Sequence, residues 1–348
     1  SARVLAVIAR TRAIGGDPQG GMALARQAMD MAAQLALDEV RVHALATIGL
    51  AKSYLGDPTG TDDQQRALDE AIELRLSIAG SLANNISVDA FFAFEHRRSE
   101  ELIVEGLPIA ESVGDAAGVR WLRGQLGPSG FVSGRWDEAL ARADGFIHEC
   151  EAGSPHYLES SNRSMRARIR EGRGDAEGAL ADARRSVELA RAVNDPQQLL
   201  SELGLLASML KIRGQLDEAR DIARELVAMA TLYPQDAVWT LTLEFNFSPL
   251  ALEFESELRA IVEVSPYPRW TAVAVACLDR EYVRAAELWG AAGSPTWEAR
   301  LRMRAAEDLI ETGRRAEAET QIDQALAFYR GVGATFWIER GEALLASG

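Results

Sequence analysis

Four arginines at helical spacing are the residues best suited to bind a ligand. Arg163, Arg166, Arg170 and Arg173 occupy positions i, i+3, i+7 and i+10, which places them within about 80° of one helical face. Arg123 stands one repeat earlier, 40 residues before Arg163. Guanidinium groups grip carboxylates and phosphates through paired hydrogen bonds. The stripe therefore indicates either an anion-binding strip or a set of ion pairs between helices.

The composition favours ion pairs as the explanation of this stripe. The chain has 52 acidic residues, so carboxylates are available to every arginine. The candidate partners are Glu138, Glu149, Glu159 and Glu177. We prefer the ion pairs and keep the anion-binding strip as the alternative. The candidate partner-binding arginines are Arg123, Arg163, Arg166 and Arg170.

Aromatic side chains form a second candidate set. Trp and Tyr are enriched at the energetic centres of protein interfaces. The candidates, all on the first helix of a predicted helix pair, are Trp121, Phe131, Tyr157 and Trp270. Such residues more often pack the interior than contact a ligand. The run Phe91-Phe-Ala-Phe94 is open to the same two interpretations, core or groove wall.

No motif in the sequence indicates a catalytic or metal centre. The patterns GxxxxGK[ST], HExxH and GxSxG are missing, so the usual phosphate cradle, zinc-protease and hydrolase arrangements are not expected. His148, Cys150 and His156 are the only cluster of metal-ligand types, and the turn Gly153-Ser-Pro155 separates them. Zinc sites need three or four ligands with supporting contacts. We predict no enzyme activity, no cofactor and no metal.

Charge and apolar content exclude two further classes of partner. The formal net charge is −15, which disfavours nucleic acid because phosphate contacts need Lys and Arg. No uncharged apolar run approaches the ~20 residues of a membrane span. Cys150 and Cys277 lie far apart with no CxxC, so we expect reduced thiols in a cytoplasmic protein.

A repeated element of a turn glycine, acidic residues and alanine sets the spacing of the chain. Its clearest copies are Gly134-Arg-Trp-Asp-Glu-Ala139, Gly174-Asp-Ala-Glu-Gly-Ala179, Gly214-Gln-Leu-Asp-Glu-Ala219 and Gly313-Arg-Arg-Ala-Glu-Ala318. Weaker copies begin at Gly16, Gly56 and near His96, so successive copies from Gly16 to Gly214 are 38 or 40 residues apart. A fixed period of this length indicates a stack of helix pairs.

Each copy reads as the end of one helix and the start of the next. Glycine supplies a left-handed turn residue, and acidic residues suit the first turn of the following helix. Alanine in the sixth place lets the paired helices approach closely. Between repeats, Ser154-Pro155, Asp195-Pro196 and Ser294-Pro295 are typical of a new helix start.

These patterns predict an all-α superhelix of about nine helix pairs with a capping helix near 334–346. Apolar residues such as Leu199, Leu203, Leu206 and Leu210 recur at helical spacing. The least regular stretch is 232–265, where Trp239-Thr-Leu-Thr-Leu could pass for a strand, but Ser248-Pro249 offers a helix cap. We expect three segments: repeats over 1–231, a degenerate pair over 232–265, and repeats with the cap over 266–348.

The spacing of Gly49 to Gly56 and of Gly127 to Gly134 resembles the tetratricopeptide repeat, although the period here is nearer 40 than 34 and Ala167, Ala207 and Ala306 replace the first-helix glycine. The resemblance implies a right-handed solenoid. The C-terminal run is similar to the repeat region that closes large bacterial signal-transduction ATPases. Its matching segments are Gly293-Ser-Pro, Glu298-Ala-Arg, Arg304-Ala-Ala-Glu307, Gly313-Arg-Arg, Ala325-Leu-Ala-Phe-Tyr-Arg330 and Val332-Gly-Ala-Thr335.

In that family an ATPase domain and a cyclase-like or DNA-binding domain precede the repeats. The resemblance therefore implies a non-catalytic sensor or scaffold that binds a protein or peptide, an acidic one if the arginine strip is the site. It also implies domains upstream of Ser1 as partners, and Ser1 itself opens directly on a helical pattern, as expected for a piece of a longer chain. The alternatives are a structural spacer or oligomerisation module, or a receptor or enzyme hidden in 232–265.

Overall fold

The computed structural model describes residues 1–57, 59–242, 245 and 248–346. Nineteen α-helices and no β-strand occur within these residues. The first ten are α1 (Ala2–Ile14), α2 (Pro18–Gln34), α3 (Asp38–Tyr54), α4 (Thr59–Glu73), α5 (Ala79–Phe92), α6 (His96–Val113), α7 (Ala116–Val132), α8 (Trp136–Glu151), α9 (Glu159–Gly172) and α10 (Ala176–Val193). The others are α11 (Pro196–Ile212), α12 (Leu216–Leu232), α13 (Pro234–Thr242), α14 (Glu255–Glu263), α15 (Pro268–Leu278), α16 (Tyr282–Ala291), α17 (Pro295–Glu311), α18 (Arg315–Val332) and α19 (Thr335–Ala346).

The predicted all-α fold of nine helix pairs and a capping helix is confirmed over the described residues. The irregular stretch consists of α13, a short 3₁₀ helix at Pro249–Phe254 and α14. Ser248 caps the 3₁₀ helix by accepting a hydrogen bond from the Leu250 amide at 3.3 Å. Trp239 lies in α13, a helix rather than a strand. Positions 243, 244, 246 and 247 of this stretch lie outside the described residues.

Most turns between the helices of a pair contain one left-handed residue, as the repeat predicts. The glycines at this place have positive φ, namely Gly16, Gly56, Gly134, Gly174, Gly214 and Gly313. In the third pair the left-handed residue is Phe94, with φ 62°, rather than a residue at His96. Phe94 is buried against Trp270, at a ring-centroid distance of 4.8 Å, so its packing compensates for a conformation that favours glycine.

The alanine in the sixth place is fully buried wherever the repeat is clear: Ala139, Ala179, Ala219 and Ala318 all have no exposed surface. The predicted close approach of paired helices is therefore confirmed. Pro196 and Pro295 each stand at the first position of a helix after a side-chain cap from Asp195 or Ser294. Ser154-Pro155 was predicted to do the same, but α9 begins only at Glu159.

The chain divides into two compact units. The first comprises residues 1–90 and 98–123, and the second comprises 91–97 and 124–348. The core of the first unit is built from small side chains, such as Ala28, Ala32 and Ala44, with Val42 and Leu82. The sequence-based division at 231 and 265 stays a prediction about how the repeats are grouped.

The core of the second unit is richer in large side chains. Trp270, Trp289 and Tyr282 are among its fully buried residues. Its C-terminal helix α19 packs against α9, which lies more than 160 positions earlier in the chain. Helices that are distant in sequence therefore meet inside this unit. Within the described residues, no helix is both long and apolar enough to cross a membrane.

Candidate functional site

The arginine stripe on α9 converges on one buried carboxylate. Asp182 on α10 is 4% exposed and accepts hydrogen bonds from Arg166 at 2.7 and 2.8 Å and from Arg170 at 2.7 Å. Arg163 lies 3.4 Å from the same carboxylate and is itself only 8% exposed. Three guanidinium groups thus surround Asp182 between α9 and α10.

Further carboxylates complete the pairing of this stripe. Arg163 donates to Glu159 at 2.9 Å and to Glu151 at 2.5 Å, and Arg166 donates to Asp144 at 2.7 Å. Burial acts to lower the pKa of Arg166, but the hydrogen bonds to its carboxylate partners outweigh burial and raise it. The geometry favours the ion-pair interpretation, although only Glu159 was among the expected partners. A role in partner binding stays a prediction for Arg163, Arg166 and Arg170.

Two of the predicted site residues belong to the first unit. Arg123 is exposed and lies 3.5 Å from Glu111, a surface ion pair of small energetic value. Trp121 is half-buried. A role as partner contacts stays a prediction for both residues.

The other aromatic candidates lie largely in the interior, as the preferred interpretation expects, and a partner-binding role stays a prediction for them. Trp270 has no exposed surface, and its indole Nε1 donates to the Phe92 carbonyl at 3.1 Å. Phe131 is also buried and stacks on Trp136, with ring centroids 5.5 Å apart. Tyr157 is half-buried and donates from its hydroxyl to Asp195 at 2.8 Å. Burial and the Asp195 charge raise the pKa of Tyr157.

A concave pocket in the second unit brings together residues that the sequence did not connect. It contains about 430 Å³ of empty space, including the part open to solvent. Its walls come from α7 to α9 and from α17 to α19, and α11 supplies a strip of apolar side chains. The lining residues are Phe131, Trp136, Arg168, Glu171, Leu205, Met209, Ile212, Thr296, Trp297, Arg300, Tyr329 and Trp337. Phe131 is the one predicted site residue among them.

Two arginines of the pocket stack on tryptophan rings. The guanidinium carbon of Arg300 lies 3.9 Å from the ring centroid of Trp337, and that of Arg168 lies 5.5 Å from the ring centroid of Trp297. Such cation–π contacts fix the planes of the guanidinium groups. The pocket therefore presents flat, oriented positive charge between aromatic walls.

Polar contacts across the unit hold these walls in place. The Trp136 indole donates to the Thr296 hydroxyl at 3.1 Å, and that hydroxyl donates to the Phe131 carbonyl at 2.5 Å. Gly172 leaves room for the rings, because a Cβ there would lie 2.8 Å from a ring carbon of Trp136 and 3.3 Å from one of Trp337. A side chain at Gly172 would displace one wall of the pocket.

A buried carboxyl lies behind the pocket. Glu202 on α11 is fully buried, and burial raises its pKa to about 7, although Arg168 and hydrogen bonds to Ser164 and Ser186 act to lower it. Arg168, a residue of the pocket lining, therefore interacts electrostatically with Glu202. The protonation of Glu202 changes near neutral pH, so the electrostatic field on Arg168 changes with it.

The sequence does contain a signal for part of this pocket. Trp297 and Arg300 recur 40 residues later as Trp337 and Arg340, so the same Trp-x-x-Arg pattern stands at the same place in two successive repeats. Trp136 and Arg168 carry no comparable signal, because only the packing of α8 and α9 against the C-terminal helices brings them to the pocket.

His148, Cys150 and His156 are the residues of metal-ligand type that the sequence places close together. Among the described residues no group of three His, Cys, Asp or Glu side chains is placed to hold a metal ion. Cys150 is buried on α8, and the His156 ring accepts a hydrogen bond from the Leu158 amide at 3.2 Å.

Comparison with known proteins gives likeness to solved helical-repeat structures only. No protein-family model matches the sequence, and neither does any curated protein. The TPR domain of P58(IPK) is 12% identical, with 99% of this chain and 98% of that chain covered and a TM-score of 0.24. A circular tandem repeat protein with a novel repeat topology is 15% identical, with 99% and 94% covered and a TM-score of 0.21. The assignment of an all-α repeat fold therefore rests on the helices and turns of the chain itself.

Proposed function

We propose that this chain is a non-catalytic binding module that takes an acidic segment of a protein or peptide in the pocket of its second unit. The observation that carries the proposal is the stacking of Arg168 on Trp297 and of Arg300 on Trp337 within one concave site. A guanidinium that stacks on a ring forms its hydrogen bonds in its own plane, which is the geometry in which it binds a carboxylate. The aromatic walls suit the apolar part of a peptide side chain.

The charge of the molecule limits where an acidic ligand can bind. The chain as a whole carries −15, so a general attraction between the chain and an acidic peptide is not expected. An acidic segment would bind only where local positive charge outweighs the overall field. The pocket offers two arginines against Glu171, and Glu171 itself forms an ion pair with Arg213.

Titration with two labelled peptides tests the function. One peptide alternates glutamate with leucine, and the other has lysine in place of glutamate. We expect only the acidic peptide to bind and to change the tryptophan emission. Arg300→Gln should weaken its binding about tenfold, the scale of one lost charge-assisted contact.

The matched control is Arg330→Gln, which changes an exposed arginine on α18 that pairs with Glu342. Its affinity for the acidic peptide should equal that of the unaltered chain. If both peptides bind equally, or if both variants lose the same affinity for the acidic peptide, the pocket is not the binding site. Circular dichroism establishes that each variant is folded.

We propose that the module serves as a sensor or scaffold within a larger regulatory protein. The resemblance of the C-terminal run to the repeats of bacterial signal-transduction ATPases supports a sensor or scaffold in a bacterial signalling or transcription-regulatory protein. Enzymatic or DNA-binding work would then belong to other domains of the parent chain. A cyclase or ATPase signature upstream of Ser1 would support this role.

A second function, as a stacking or oligomerisation module, is favoured by the surface of α1. Val4, Val7 and Ile8 are 56%, 61% and 45% exposed. Their equivalents one repeat later on α3, which packs against α2, are Ala44, Thr47 and Ile48, which are 0%, 0% and 5% exposed. The same helical face is thus covered on α3 and open on α1. Sedimentation of the chain with and without Val7→Lys distinguishes self-association through this face from a monomer.

A further inference from the structure

Three helices near the C-terminal end of the chain begin in the same way. Each has a tryptophan as its third residue, namely Trp270 on α15, Trp297 on α17 and Trp337 on α19. All three side chains are buried, with 0%, 4% and 5% of their surface exposed. The starts of these helices therefore pack against other parts of the second unit.

The first two helix starts cover turns of earlier repeats. The Trp270 ring lies 4.8 Å from the Phe94 ring, between their centroids, and its indole donates to the Phe92 carbonyl at 3.1 Å. At the next turn, a Cβ on Gly134 would lie 3.2 Å from a side-chain carbon of Pro295, the first residue of α17. Each of these turns is thus in contact with the beginning of one helix.

The third helix start covers the following turn. A Cβ on Gly174 would lie 3.5 Å from the hydroxyl oxygen of Thr335, the first residue of α19. A Cβ on Gly172 would lie 3.3 Å from a carbon of the Trp337 ring. The three covered turns follow one another at the 40-residue period of the repeat. The chain therefore forms the same kind of interface three times in succession.

The fourth turn of this series, at Gly214, is open. Among the described residues, no other part of the chain lies within 4 Å of a Cβ built on Gly214. Leu216, the first residue of α12, is 44% exposed, whereas His96 and Trp136, the first residues of α6 and α8, are 4% and 3% exposed. The pocket extends to this turn, because Ile212 at the end of α11 is one of its lining residues.

We infer that the turn at Gly214 binds the start of a helix from a partner protein, with an aromatic side chain as the third residue of that helix. The place continues an interface that the chain forms three times with its own helices. A second copy of the chain does not offer a suitable helix start, because its three tryptophans are buried. The aromatic side chain would cover Leu216 and reach Ile212, and burial of this apolar surface favours binding.

This surface is distinct from the site proposed for an acidic segment. The two share Ile212, which lines the pocket, but the helix start needs neither Arg168 nor Arg300. A neutral aromatic peptide and an acidic peptide can therefore test the two proposals separately.

Two neutral peptides with a fluorescent label test the surface by anisotropy titration with the full chain. Both begin with Ser-Pro-Thr, as residues 294–296 do, and continue in alanine and glutamine. One has tryptophan directly after the threonine, and the other has alanine there. We expect saturable binding of the tryptophan peptide and at least about tenfold weaker binding of the alanine peptide. Equal binding of the two, or no saturable binding of either, would overturn the inference.

Gly214→Asn tests the place of binding, because asparagine tolerates a positive φ and its side chain fills the space above the turn. Gly313→Asn is the matched control. Gly214 and Gly313 have φ of 73° and 77°, and a Cβ on either meets no described residue within 4 Å. We expect only Gly214→Asn to weaken binding of the tryptophan peptide, by about tenfold. The same affinity in both variants would mean that the peptide binds elsewhere.

Leu216→Gln and Leu232→Gln form a second matched pair at the two ends of α12. Both leucines are exposed, at 44% and 74%, so neither change should affect folding. Only Leu216→Gln should weaken binding of the tryptophan peptide, by about fivefold. If Arg300→Gln weakens it as much, the peptide occupies the acidic-peptide site and the separate surface is refuted. Loss of glutamate-peptide binding alone would refute only the proposed function.

Sedimentation of the chain without peptide distinguishes a partner protein from a second copy. We expect Leu216→Gln to leave the sedimentation profile unchanged. A dimer of the unaltered chain that dissociates in Leu216→Gln would make a second copy the occupant of this turn, and the inference of a partner helix would be wrong.

Discussion

The indole of Trp136 donates a 3.1 Å hydrogen bond to the hydroxyl of Thr296, although 160 positions separate the two residues. Thr296 in turn donates to the Phe131 carbonyl, so one hydroxyl serves α7, α8 and α17. Both side chains are buried. This contact holds one wall of the pocket in place. It contributes to stability because a buried polar group without a hydrogen-bond partner costs free energy.

Thr296→Val should destabilise the second unit. The valine keeps the volume but removes both hydrogen bonds. The Trp136 N–H then stays buried without this partner, whereas the Phe131 carbonyl still accepts from the Gly134 amide. We expect a loss of about 1–3 kcal/mol in the free energy of unfolding, measured by urea denaturation with tryptophan fluorescence.

Thr320→Val is the matched control, because Thr320 is exposed on α18 and its hydroxyl donates to the Ala316 carbonyl of its own helix. Its effect should stay within about 0.5 kcal/mol. Equal unfolding curves for the two variants would show that the contact between α8 and α17 adds nothing to stability.

Asp182→Asn should destabilise the chain more than any change at a surface ion pair. The variant leaves Arg163, Arg166 and Arg170 without the carboxylate that all three share. Breaking a buried ion pair by removing one partner costs about 3–5 kcal/mol. The unfolding midpoint in urea is the measurement.

Asp221→Asn provides the comparison, since Asp221 is exposed on α12 and pairs with Arg224. A change below about 1 kcal/mol is expected there. If Asp182→Asn matched this control and also lost affinity for the acidic peptide, the α9 arginines would return to the role of a partner-binding strip.

Glu202→Gln should remove a pH dependence of stability that the unaltered chain shows. Burial raises the pKa of Glu202 to about 7, above its ordinary value of 4.5. Between these two values the folded state therefore binds more protons than the unfolded state, and stability falls as pH rises. The loss is about 3 kcal/mol across this interval, from 1.36 kcal/mol for each pKa unit.

The measurement is the urea midpoint of both proteins at about pH 5 and about pH 8. The stability difference between the two should be small at the lower pH, close to the unfolded pKa of Glu202, and should grow in favour of Glu202→Gln at the higher pH. Glu188→Gln, at an exposed residue of α10 that pairs with Arg185, should follow the unaltered chain. Parallel pH profiles for all three would mean that Glu202 does not ionise in this range.

Local rules in the sequence determined the helices and their turns. Glycine adopts the left-handed conformation most readily, so Gly134, Gly174 and Gly214 predicted where each helix ends. Alanine at Ala139 and Ala179 predicted close helix contacts. The same rules located the third turn only approximately, because Phe94 takes the left-handed conformation there and its fit among tryptophan rings is a tertiary property.

Tertiary structure alone decided where charge is neutralised and where it is concentrated. The spacing of Arg163, Arg166 and Arg170 is the same for a binding strip and for ion pairs, and it is the position of Asp182 on the neighbouring helix that favours the ion pairs. The pocket likewise depends on helices distant in sequence, since Trp136 meets Thr296 through the packing of the whole second unit. Helix periodicity is fixed by neighbours three and four residues apart, whereas a binding site depends on which distant helices share a surface.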